Sequence, residues 1–216
     1  MDPHQEAHVH SGALGLLAFP WAYAAVKRLL YKPANHSRLL TEIIRPFPGC
    51  RILDIGCGPA DILSYLPEYI SAYTGLDFNP RYIEFAQQRW SDRKNCRFEC
   101  RNLNDLVAEN MQAFDIVLAL GLLHHISDAD AGRLFRTVAE LLKPGGRFIT
   151  YDGVYMQGQN PVAKWLLAHD RGRAVRTEAG YLALARETFP ETSGQILHDT
   201  LRVPYTIMVM TCRKPK

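Results

Sequence analysis

The sequence predicts an α/β fold: a doubly wound, seven-stranded, mostly parallel sheet with helices on both faces and a C-terminal antiparallel hairpin strand. From about residue 50, short apolar runs alternate with amphipathic stretches, which indicates alternating strands and helices. The first strand ends in a Gly-x-Gly turn at Gly56 and Gly58, as at the start of doubly wound sheets. The last two apolar runs, 195–203 and 205–212, are separated by little more than Pro204, so they are expected to pair as antiparallel neighbours through a tight reversal.

The elements follow in order along the chain. Residues 1–45 predict an N-terminal helical extension, with a break between two helices near Lys32 and Pro33. The main domain, 46–216, is expected to hold strands at 51–55, 72–77, 96–101, 114–120 and 146–152, with helices between them. The clearest helix begins near Asp128 and stops at the Lys-Pro-Gly-Gly sequence of 143–146. A polar connection at about 153–176 leads to another predicted helix over about 177–188.

The composition and net charge of the chain are those of an ordinary globular protein. The 216 residues are 47% hydrophobic and 22% charged, which excludes a mostly disordered chain, a collagen and a coiled coil. A formal net charge of +3 is too mild to indicate a nucleic-acid-binding protein, so no nucleic-acid partner is expected. The five cysteines are an odd number in a chain large enough to fold without disulfides, which favours reduced thiols and a cytoplasmic location.

Other segments bear on membranes and metals. The uncharged stretch 11–26 has 16 residues, fewer than the ~20 needed to cross a bilayer, so no membrane span is expected, while association with a membrane surface stays open. Cys96 and Cys100 form a close pair, but no second Cys or His pair stands at a zinc-site spacing. His4, His8 and His10 lie in a terminal tail, where disorder is the ordinary expectation. No metal site is therefore expected.

The turn after the first strand is the most informative motif. A strand that ends in Gly-x-Gly and leads to a helix lets the backbone approach a ligand and offers helix N-terminal amides to an anionic group. In the dinucleotide fingerprint the third glycine falls on Asp61, whose carboxylate would face a pyrophosphate, so NAD is disfavoured and a cofactor with a positive end is favoured. Asp77 follows Asp54 by 23 residues, the distance at which such folds place an acid on ribose hydroxyls. Together these motifs predict a nucleoside cofactor.

From about Cys50 to Cys212 the chain resembles the class I S-adenosylmethionine-dependent methyltransferases. Asp54-Ile55-Gly56-Cys57-Gly58 looks like the glycine-rich cofactor loop of the family, and Gly75-Leu76-Asp77-Phe78 looks like its ribose-binding acid followed by a residue against the adenine. Phe114-Asp115-Ile116-Val117 resembles the fourth-strand motif, and 142–146 resembles the turn before strand five. Asn102-Leu103 stands where the family often has Asp-Ala, and Ala60 stands where many relatives have Gly.

The resemblance implies S-adenosylmethionine as the cofactor and a small molecule as the substrate. Asp54 and Asp61 are expected to serve the methionyl ammonium, and the carbonyl oxygen of the Asn102 side chain to accept a hydrogen bond from the adenine amine. The full set of expected cofactor-binding residues is Asp54, Gly56, Cys57, Gly58, Asp61, Asp77, Phe78, Asn102, Leu103, Leu120 and His125.

A pair of histidines follows the fourth predicted strand. The segment His124-His125-Ile126-Ser127-Asp128 is similar to the His-Asp-Trp-Ser-Asp segment of small-molecule O-methyltransferases, in which the leading His acts as the base. His124 falls on that position and is the catalytic candidate, because a neutral imidazole can take a proton from a hydroxyl as the methyl group arrives. The alternative interpretation is that both histidines pack at a helix entry or contact the cofactor.

Substrate choice is expected to depend on the parts added to the core. These are the N-terminal extension, acting as a lid, and the connection at about 153–176, which is predicted to be a substrate-side insertion. Tyr151 and Tyr155 are expected to contact substrate, or else to belong to the core. Arg171 lies in a basic cluster that continues to Arg176. The cluster is expected either to hold a substrate carboxylate or phosphate, or to be a solvated loop whose arginines pair with nearby acids.

The expected activity is methylation of a small molecule, at oxygen before nitrogen or carbon. A non-catalytic module that binds S-adenosylmethionine is the alternative from another class. A nucleic-acid amino-methyltransferase is disfavoured, because Leu120-Gly121-Leu122-Leu123 stands where that class carries an Asn/Asp-Pro-Pro-aromatic tetrad. The sequence leaves the substrate, the methylated atom and the oligomeric state open.

Overall fold

The structure is a computed structural model that describes residues 37–110, 113–169, 172, 174–198 and 200–216. Most of the predicted N-terminal helical extension, including the break near Lys32 and Pro33, lies outside the described residues. The end of that extension is described as a short π-helical segment, Leu39–Ile44, which buries Ile43 and Ile44. Its role as a lid stays a prediction.

Seven strands form the main sheet of the described chain, in the order β3-β2-β1-β4-β5-β8-β7. The first five strands pair in parallel, whereas β8 pairs antiparallel with both β5 and β7. A two-residue strand, β6, pairs with the end of β5. The predicted doubly wound sheet and its antiparallel C-terminal hairpin are thereby confirmed. The strands are β1 Arg51–Ile55, β2 Ala72–Leu76, β3 Cys96–Glu99, β4 Phe114–Leu120, β5 Leu142–Tyr155, β6 Arg176–Thr177, β7 Thr192–Leu197 and β8 Ile207–Arg213.

The described helices begin at residues whose side chains cap them. Asn79, Ser127 and Thr177 each accept a hydrogen bond from a backbone N–H in the first turn of the helix that follows. Asn160 does the same for the helix after β5. The α-helices are α1 Pro80–Arg89, α2 Leu103–Asn110, α3 Asp128–Leu141, α4 Pro161–Ala168 and α5 Glu178–Arg186.

The sheet has a core on each face. Because side chains alternate along a strand, Phe148 and Ile149 of β5 enter different cores. Phe148 packs with Phe135 of α3 and Phe189, with ring centroids 5.6 Å and 6.4 Å from it. Ile149 belongs to the opposite core, with Tyr73 of β2. Burial on both faces explains why the parallel strands are continuous apolar runs in the sequence.

Three elements differ from the sequence prediction. The glycine turn leads to a four-residue 3-10 helix, Asp61–Ser64, instead of a longer α-helix, because Pro67 follows closely and cannot continue a helix. Strand β5 begins earlier and ends later than expected, so that 143–146 belong to the strand. The reversal between β7 and β8 is not tight, since residues 198–206 connect them, and the paired strands are 192–197 and 207–213.

Candidate active site

The carboxyl ends of β1, β2, β4 and β5 meet at one edge of the sheet, as expected for a ligand site in an open α/β fold. The glycine turn follows β1 and is tied to β2, because the N–H groups of Gly56 and Cys57 both donate to the Leu76 carbonyl, at 2.8 Å and 3.0 Å. The turn also lies against the segment after β4, where a Cβ at Gly56 would stand 3.5 Å from Leu122 Cδ1. The turn and the two histidines therefore belong to the same edge.

Backbone conformation explains the glycines of this turn. Gly56 has φ 71° and Gly58 has φ 54°, values that L side chains rarely adopt. Ala60 also has a positive φ, 55°, although it carries a methyl group. This conformation is one that glycine adopts without strain, so a left-handed Ala60 costs about 1 kcal/mol in backbone energy. A Cβ on Gly58 would meet nothing within 4 Å, which shows open space beside the turn.

Asp77 joins the turn to the end of β2. Its carboxylate accepts hydrogen bonds from Gly58 N–H at 3.0 Å and from Asn79 N–H at 2.8 Å, one on each oxygen. Burial raises the pKa of this carboxyl group, and the two backbone hydrogen bonds oppose the rise. The following residue, Phe78, leaves 76% of its surface exposed. The Asp77 carboxylate can accept hydrogen bonds from ribose hydroxyls, and the exposed Phe78 ring can stack on a base.

The adenine side of the predicted site differs in one detail. The side-chain oxygen of Asn102 accepts a hydrogen bond from Asn104 N–H at 2.9 Å, beside the start of α2. That oxygen is the atom expected to bind the adenine amine, so the local hydrogen bond competes with this role. Leu103 is half-buried as the first residue of α2 and packs against the core.

Two acids predicted near the methionyl end have protein partners. Asp54 is buried and accepts a hydrogen bond from the Tyr73 hydroxyl at 2.6 Å. Burial, and next the negative charge of Asp54, raise the pKa of Tyr73 well above its usual value, so the phenol stays protonated and donates. Asp61 forms an ion pair with Arg89 of α1, with Nη1 and Oδ1 2.5 Å apart. The structure thus gives Asp61 a cation of the protein itself, and its cofactor role stays a prediction.

Cys57 points its side chain away from the open side of the turn. A Cβ on Gly75 would stand 2.8 Å from Cys57 Sγ, so the thiol packs directly on β2, where only a glycine leaves room. Burial raises the pKa of this thiol, with Asp54 and Asp77 adding to the effect, and the sulfur is therefore a packing group. The Cys57 backbone is also used within the protein, since its N–H donates to the Leu76 carbonyl at 3.0 Å and its carbonyl accepts the Ala60 N–H at 2.9 Å, so its cofactor role stays a prediction.

His124 forms a buried pair with Asp152. His124 lies in a 3-10 turn, Leu123–His125, just after β4, and Asp152 lies near the end of the neighbouring β5. The Nδ1 atom of His124 is 2.8 Å from Asp152 Oδ1, and the same oxygen accepts the His124 backbone N–H at 3.2 Å. His124 and Asp152 are 7% and 2% exposed. Within the described part of the chain, Asp152 Oδ2 has no hydrogen-bond partner.

This geometry selects the reactive nitrogen of His124. An ionised carboxylate only accepts hydrogen bonds, so Nδ1 carries the proton, and Nε2 is then the basic nitrogen. The ring of the exposed His125 lies against the ring of His124, with the two ring centroids 4.1 Å apart. Asp152 was not among the residues singled out in the sequence. The available signal was an acid inside the apolar run of β5.

The connection after α4 covers His124. A Cβ on Gly172 would stand 2.3 Å from His124 Cδ2, so only glycine fits there, and Ala174 N–H donates to the His124 carbonyl at 3.0 Å. Arg176 then holds the covered segment, since its guanidinium donates at 2.8 Å to the carbonyls of Leu123 and Ile126 and pairs with Asp128. Of the two interpretations of the basic cluster, Arg176 follows the one in which its arginines pair with nearby acids, because its hydrogen bonds are used within the protein.

Leu120, Tyr151 and Tyr155 lie near the carboxyl ends of β4 and β5 and differ in how far they are buried. Leu120 of β4 pairs with Tyr151 of β5, whose carbonyl accepts the N–H of Gly121 at 2.8 Å. Tyr151 is buried in the core, as its alternative interpretation held. Tyr155 is half-buried at the end of β5 and pairs with Thr177 of β6. Arg171 lies outside the described residues.

The described residues hold neither a candidate metal cluster nor a membrane-spanning helix. No group of three or more His, Cys, Asp or Glu side chains is arranged to hold a metal ion in that part of the chain. No helix there is long and apolar enough to cross a bilayer. The tail histidines His4, His8 and His10 lie outside the described residues.

Comparison with known proteins identifies the family. A family described as a methyltransferase domain matches residues 52–146, which contain the glycine turn, Asp77 and both histidines. The chain thus contains a methyltransferase domain of the class I S-adenosylmethionine-dependent type. A ubiquinone biosynthesis O-methyltransferase of Coxiella burnetii is 29% identical over 100 residues, which cover 46% of this chain and 42% of that protein. A protein of the same description from Chelativorans is 29% identical over 171 residues, 74% of this chain and 64% of that one.

A solved structure shows the same fold. Phosphoethanolamine N-methyltransferase 2 of Haemonchus contortus, in complex with phosphomonomethylethanolamine and S-adenosylhomocysteine, superposes with a TM-score of 0.72 at 15% identity, over 97% of this chain and 59% of that one. The chain spans less than half of the first curated relative and about two thirds of the Chelativorans protein, so it matches the shared domain and not the whole of those enzymes.

The residues of the site fit the cofactor of this family, S-adenosylmethionine. The open space beside Gly58, the fixed carboxylate of Asp77 and the exposed ring of Phe78 offer groups for the methionyl, ribose and adenine parts in turn. The fit is weaker at Asn102, whose oxygen takes part in the bond to Asn104, and at Asp61, which Arg89 neutralises.

Proposed function

We propose that this protein transfers a methyl group from S-adenosylmethionine to an oxygen atom of a small molecule. The observation that carries the proposal is the buried contact of 2.8 Å between His124 Nδ1 and Asp152 Oδ1 at the carboxyl edge of the sheet. A carboxylate on one nitrogen of an imidazole makes the other nitrogen a base suited to a hydroxyl substrate. The curated relatives described as O-methyltransferases support the same choice of atom.

The chain supplies binding groups along the glycine turn and the end of β2. Asp77 would accept the ribose hydroxyls, Phe78 would lie against the adenine, and the open space beside Gly58 would take the methionyl part. When bound, the cofactor supplies a methyl group on a positively charged sulfur, which makes that carbon electrophilic. Because the positive charge is lost in the reaction, an anion held tightly against the sulfur would slow it. The placement of Asp54 against Tyr73 and of Asp61 against Arg89 supports a site in which neither acid serves that atom.

His124 would act on the proton of the acceptor hydroxyl. Its Nε2 would take the proton while the hydroxyl oxygen bonds to the methyl carbon and the carbon–sulfur bond breaks, so that the sulfur leaves as a neutral thioether. Nδ1–H would stay hydrogen-bonded to Asp152. Asp152 then stabilises the imidazolium that forms and keeps the ring in place. General-base catalysis of this kind contributes roughly 10²- to 10⁴-fold to a rate.

The connection that covers His124 would exclude water from the reacting atoms. Gly172 packs on the ring, and Arg176 ties the segment after β4 to this connection. Its guanidinium donates at 2.8 Å to the carbonyls of Leu123 and Ile126 and at 3.0 Å to that of Ala174, and it pairs with Asp128. Holding the base in one geometry contributes to rate by orienting the reactants. Tyr155 remains a proposed substrate contact, and so does Arg171, which lies outside the described residues.

Transfer of a labelled methyl group tests the proposal. The purified protein is incubated with methyl-labelled S-adenosylmethionine and separate panels of phenols and catechols, carboxylic acids, amines and carbon acids. We expect label in the phenol or catechol panel, and a loss of turnover of about 100-fold or more in the His124→Ala variant with cofactor affinity nearly unchanged. Arg133→Gln is the matched control, because Arg133 is exposed on α3 and pairs with a neighbouring acid on the same helix.

The alternatives have distinct outcomes in the same assay. Label only in amines or carbon acids would replace the proposal with N- or C-methylation. Cofactor binding by calorimetry, without transfer to any panel, would favour a module that binds S-adenosylmethionine without catalysis. We also propose a cytoplasmic location, supported by five cysteines that are all unpaired, and cell fractionation tests it.

A further inference from the structure

A second cavity lies away from the candidate active site. It has a volume of about 220 Å³, and its lining includes Arg45, Arg147 and Arg213. Arg147 lies five residues before Asp152 on β5, which at ~3.3 Å per residue places their backbones roughly 16 Å apart along the strand. The cavity therefore belongs to the part of the sheet near the start of β5 and the end of β8, where the cofactor turn and His124 are not found.

Two of these arginines face each other across neighbouring strands. Arg147 of β5 and Arg213 of β8 are direct partners in the antiparallel register. Like charges directly opposite each other in a sheet destabilise it. Burial, and after it the positive charges of Arg213 and Arg45, lower the pKa of the Arg147 guanidinium. The fold thus holds three positive charges together at an electrostatic cost.

The protein itself supplies little negative charge at this place. Arg147 Nη2 donates to the carbonyls of Ile44 and Arg45, at 3.0 Å and 3.1 Å, which accounts for one of its nitrogens. Within the described residues, the guanidinium groups of Arg45 and Arg213 have no ion pair with an acid. Glu42 is the acidic side chain of the lining, and it pairs with Arg38 at 3.0 Å.

Neutral donors complete the lining on the same face of the sheet. Ser193 of β7 and Thr211 of β8 are register partners, and Thr211 lies two residues before Arg213, so their side chains share one face with the arginines. Gln195, two residues after Ser193, adds a side-chain amide. Guanidinium groups, hydroxyls and an amide are the donors that proteins use to bind phosphate.

We propose that this cavity is an oxyanion site that binds a phosphoryl group, with Arg45, Arg147 and Arg213 as its cationic ligands. An anion between the three guanidinium groups would offset their mutual repulsion and use the donors that the described part of the chain leaves without acids. The phosphoryl group belongs either to a free phosphate compound or to a lipid headgroup, since both present the same oxygens.

Binding of inorganic phosphate and pyrophosphate tests the free ligand. Each probe is titrated calorimetrically into the full chain at constant ionic strength, with chloride as the balancing anion. We expect Arg213→Gln and, independently, Arg45→Gln to bind about tenfold more weakly than the unmodified chain, which corresponds to about 1.4 kcal/mol. Arg133→Gln removes the same charge from an exposed site on α3 and is expected to bind as the unmodified chain does.

Sedimentation with vesicles tests the lipid source. Vesicles of phosphatidylcholine with phosphatidylglycerol are compared with vesicles of phosphatidylcholine alone. Binding to either the free anions or the anionic vesicles supports the site if both cavity variants lose it and Arg133→Gln keeps it, and the arm that responds identifies the source. Absence of binding to all probes, or equal weakening in Arg213→Gln and Arg133→Gln, overturns the proposal.

Thermal melting in phosphate-free buffer gives an independent reading. Because Arg213→Gln removes one of two facing like charges, we expect this variant to melt at or above the temperature of the unmodified chain. Phosphate should then raise the melting temperature of the unmodified chain more than that of the variant. An equal rise in both proteins is the general effect of an excluded salt and would refute a specific site.

Discussion

Replacing Asp152 with Asn isolates the contribution of its charge to the action of His124. The amide of Asn has the shape of the carboxylate. The backbone nitrogen of His124 lies 3.2 Å from Asp152 Oδ1 and donates to it, so the amide is expected to place its oxygen, and not its NH₂ group, toward His124. The tautomer of His124 is therefore retained, and the change removes a charge-assisted hydrogen bond and leaves a neutral one. Asp152→Ala removes both.

The magnitude follows from the strength of these hydrogen bonds. A hydrogen bond to a charged group is worth ~1.5–3 kcal/mol and a neutral one ~0.5–1.5 kcal/mol, so the charge itself contributes about 1–1.5 kcal/mol. At 1.36 kcal/mol per factor of ten, kcat of Asp152→Asn should fall about tenfold, and that of Asp152→Ala, which loses the whole hydrogen bond, between about 10- and 100-fold. Global stability should change little in Asp152→Asn, because a buried carboxylate with an unpartnered Oδ2 is replaced by a neutral group of equal size.

The assay is steady-state methyl transfer, with cofactor affinity measured separately by calorimetry. A double-mutant cycle with His124→Ala separates positioning from unrelated damage. In the His124→Ala background, Asp152→Asn should cause no further loss of kcat, because the group that it orients is gone. A tenfold loss in both backgrounds would refute the argument that Asp152 acts through His124, and an unchanged kcat in the single variant would refute it as well.

The remaining predictions concern the cofactor site and the cover over His124. Asp77→Ala should abolish cofactor binding by calorimetry, and retention of binding would contradict the ribose assignment. Burial raises the pKa of Asp77, so as the pH falls this carboxylate becomes protonated at a higher pH than an ordinary Asp does. Cofactor affinity should therefore decrease toward acid pH. Unchanged affinity down to about pH 4 would count against the ribose assignment. Gly172→Ala should lower kcat and should lower the free energy of unfolding by about 1–3 kcal/mol, because the new Cβ would stand 2.3 Å from His124 Cδ2. A normal kcat and a normal melting temperature would show that this segment moves freely.

Local sequence determined the glycine turn and the ends of several elements. Glycine adopts a positive φ without strain, so Gly56 and Gly58 mark the turn in the sequence itself. Asp77 follows the next strand, 23 residues after Asp54. This half of the site could therefore be predicted from the sequence. Strands 51–55 and 114–120 were predicted with their observed bounds, because burial on both faces leaves uninterrupted apolar runs. Asn102 shows the limit of that approach, since its hydrogen bond to Asn104 competes with the role implied by its position.

The base and the second cavity needed the tertiary structure. His124 and Asp152 are 28 residues apart and meet because β4 and β5 are neighbours in the sheet, which no local pattern states. Arg147 and Arg213 are opposed only through the antiparallel register of β5 and β8. The sequence by itself determined which residues have the chemistry for a cofactor turn and a base. Only the packing of strands decided which acids stand beside which bases, because hydrogen bonds and charge interactions depend on distances that strand order and register set.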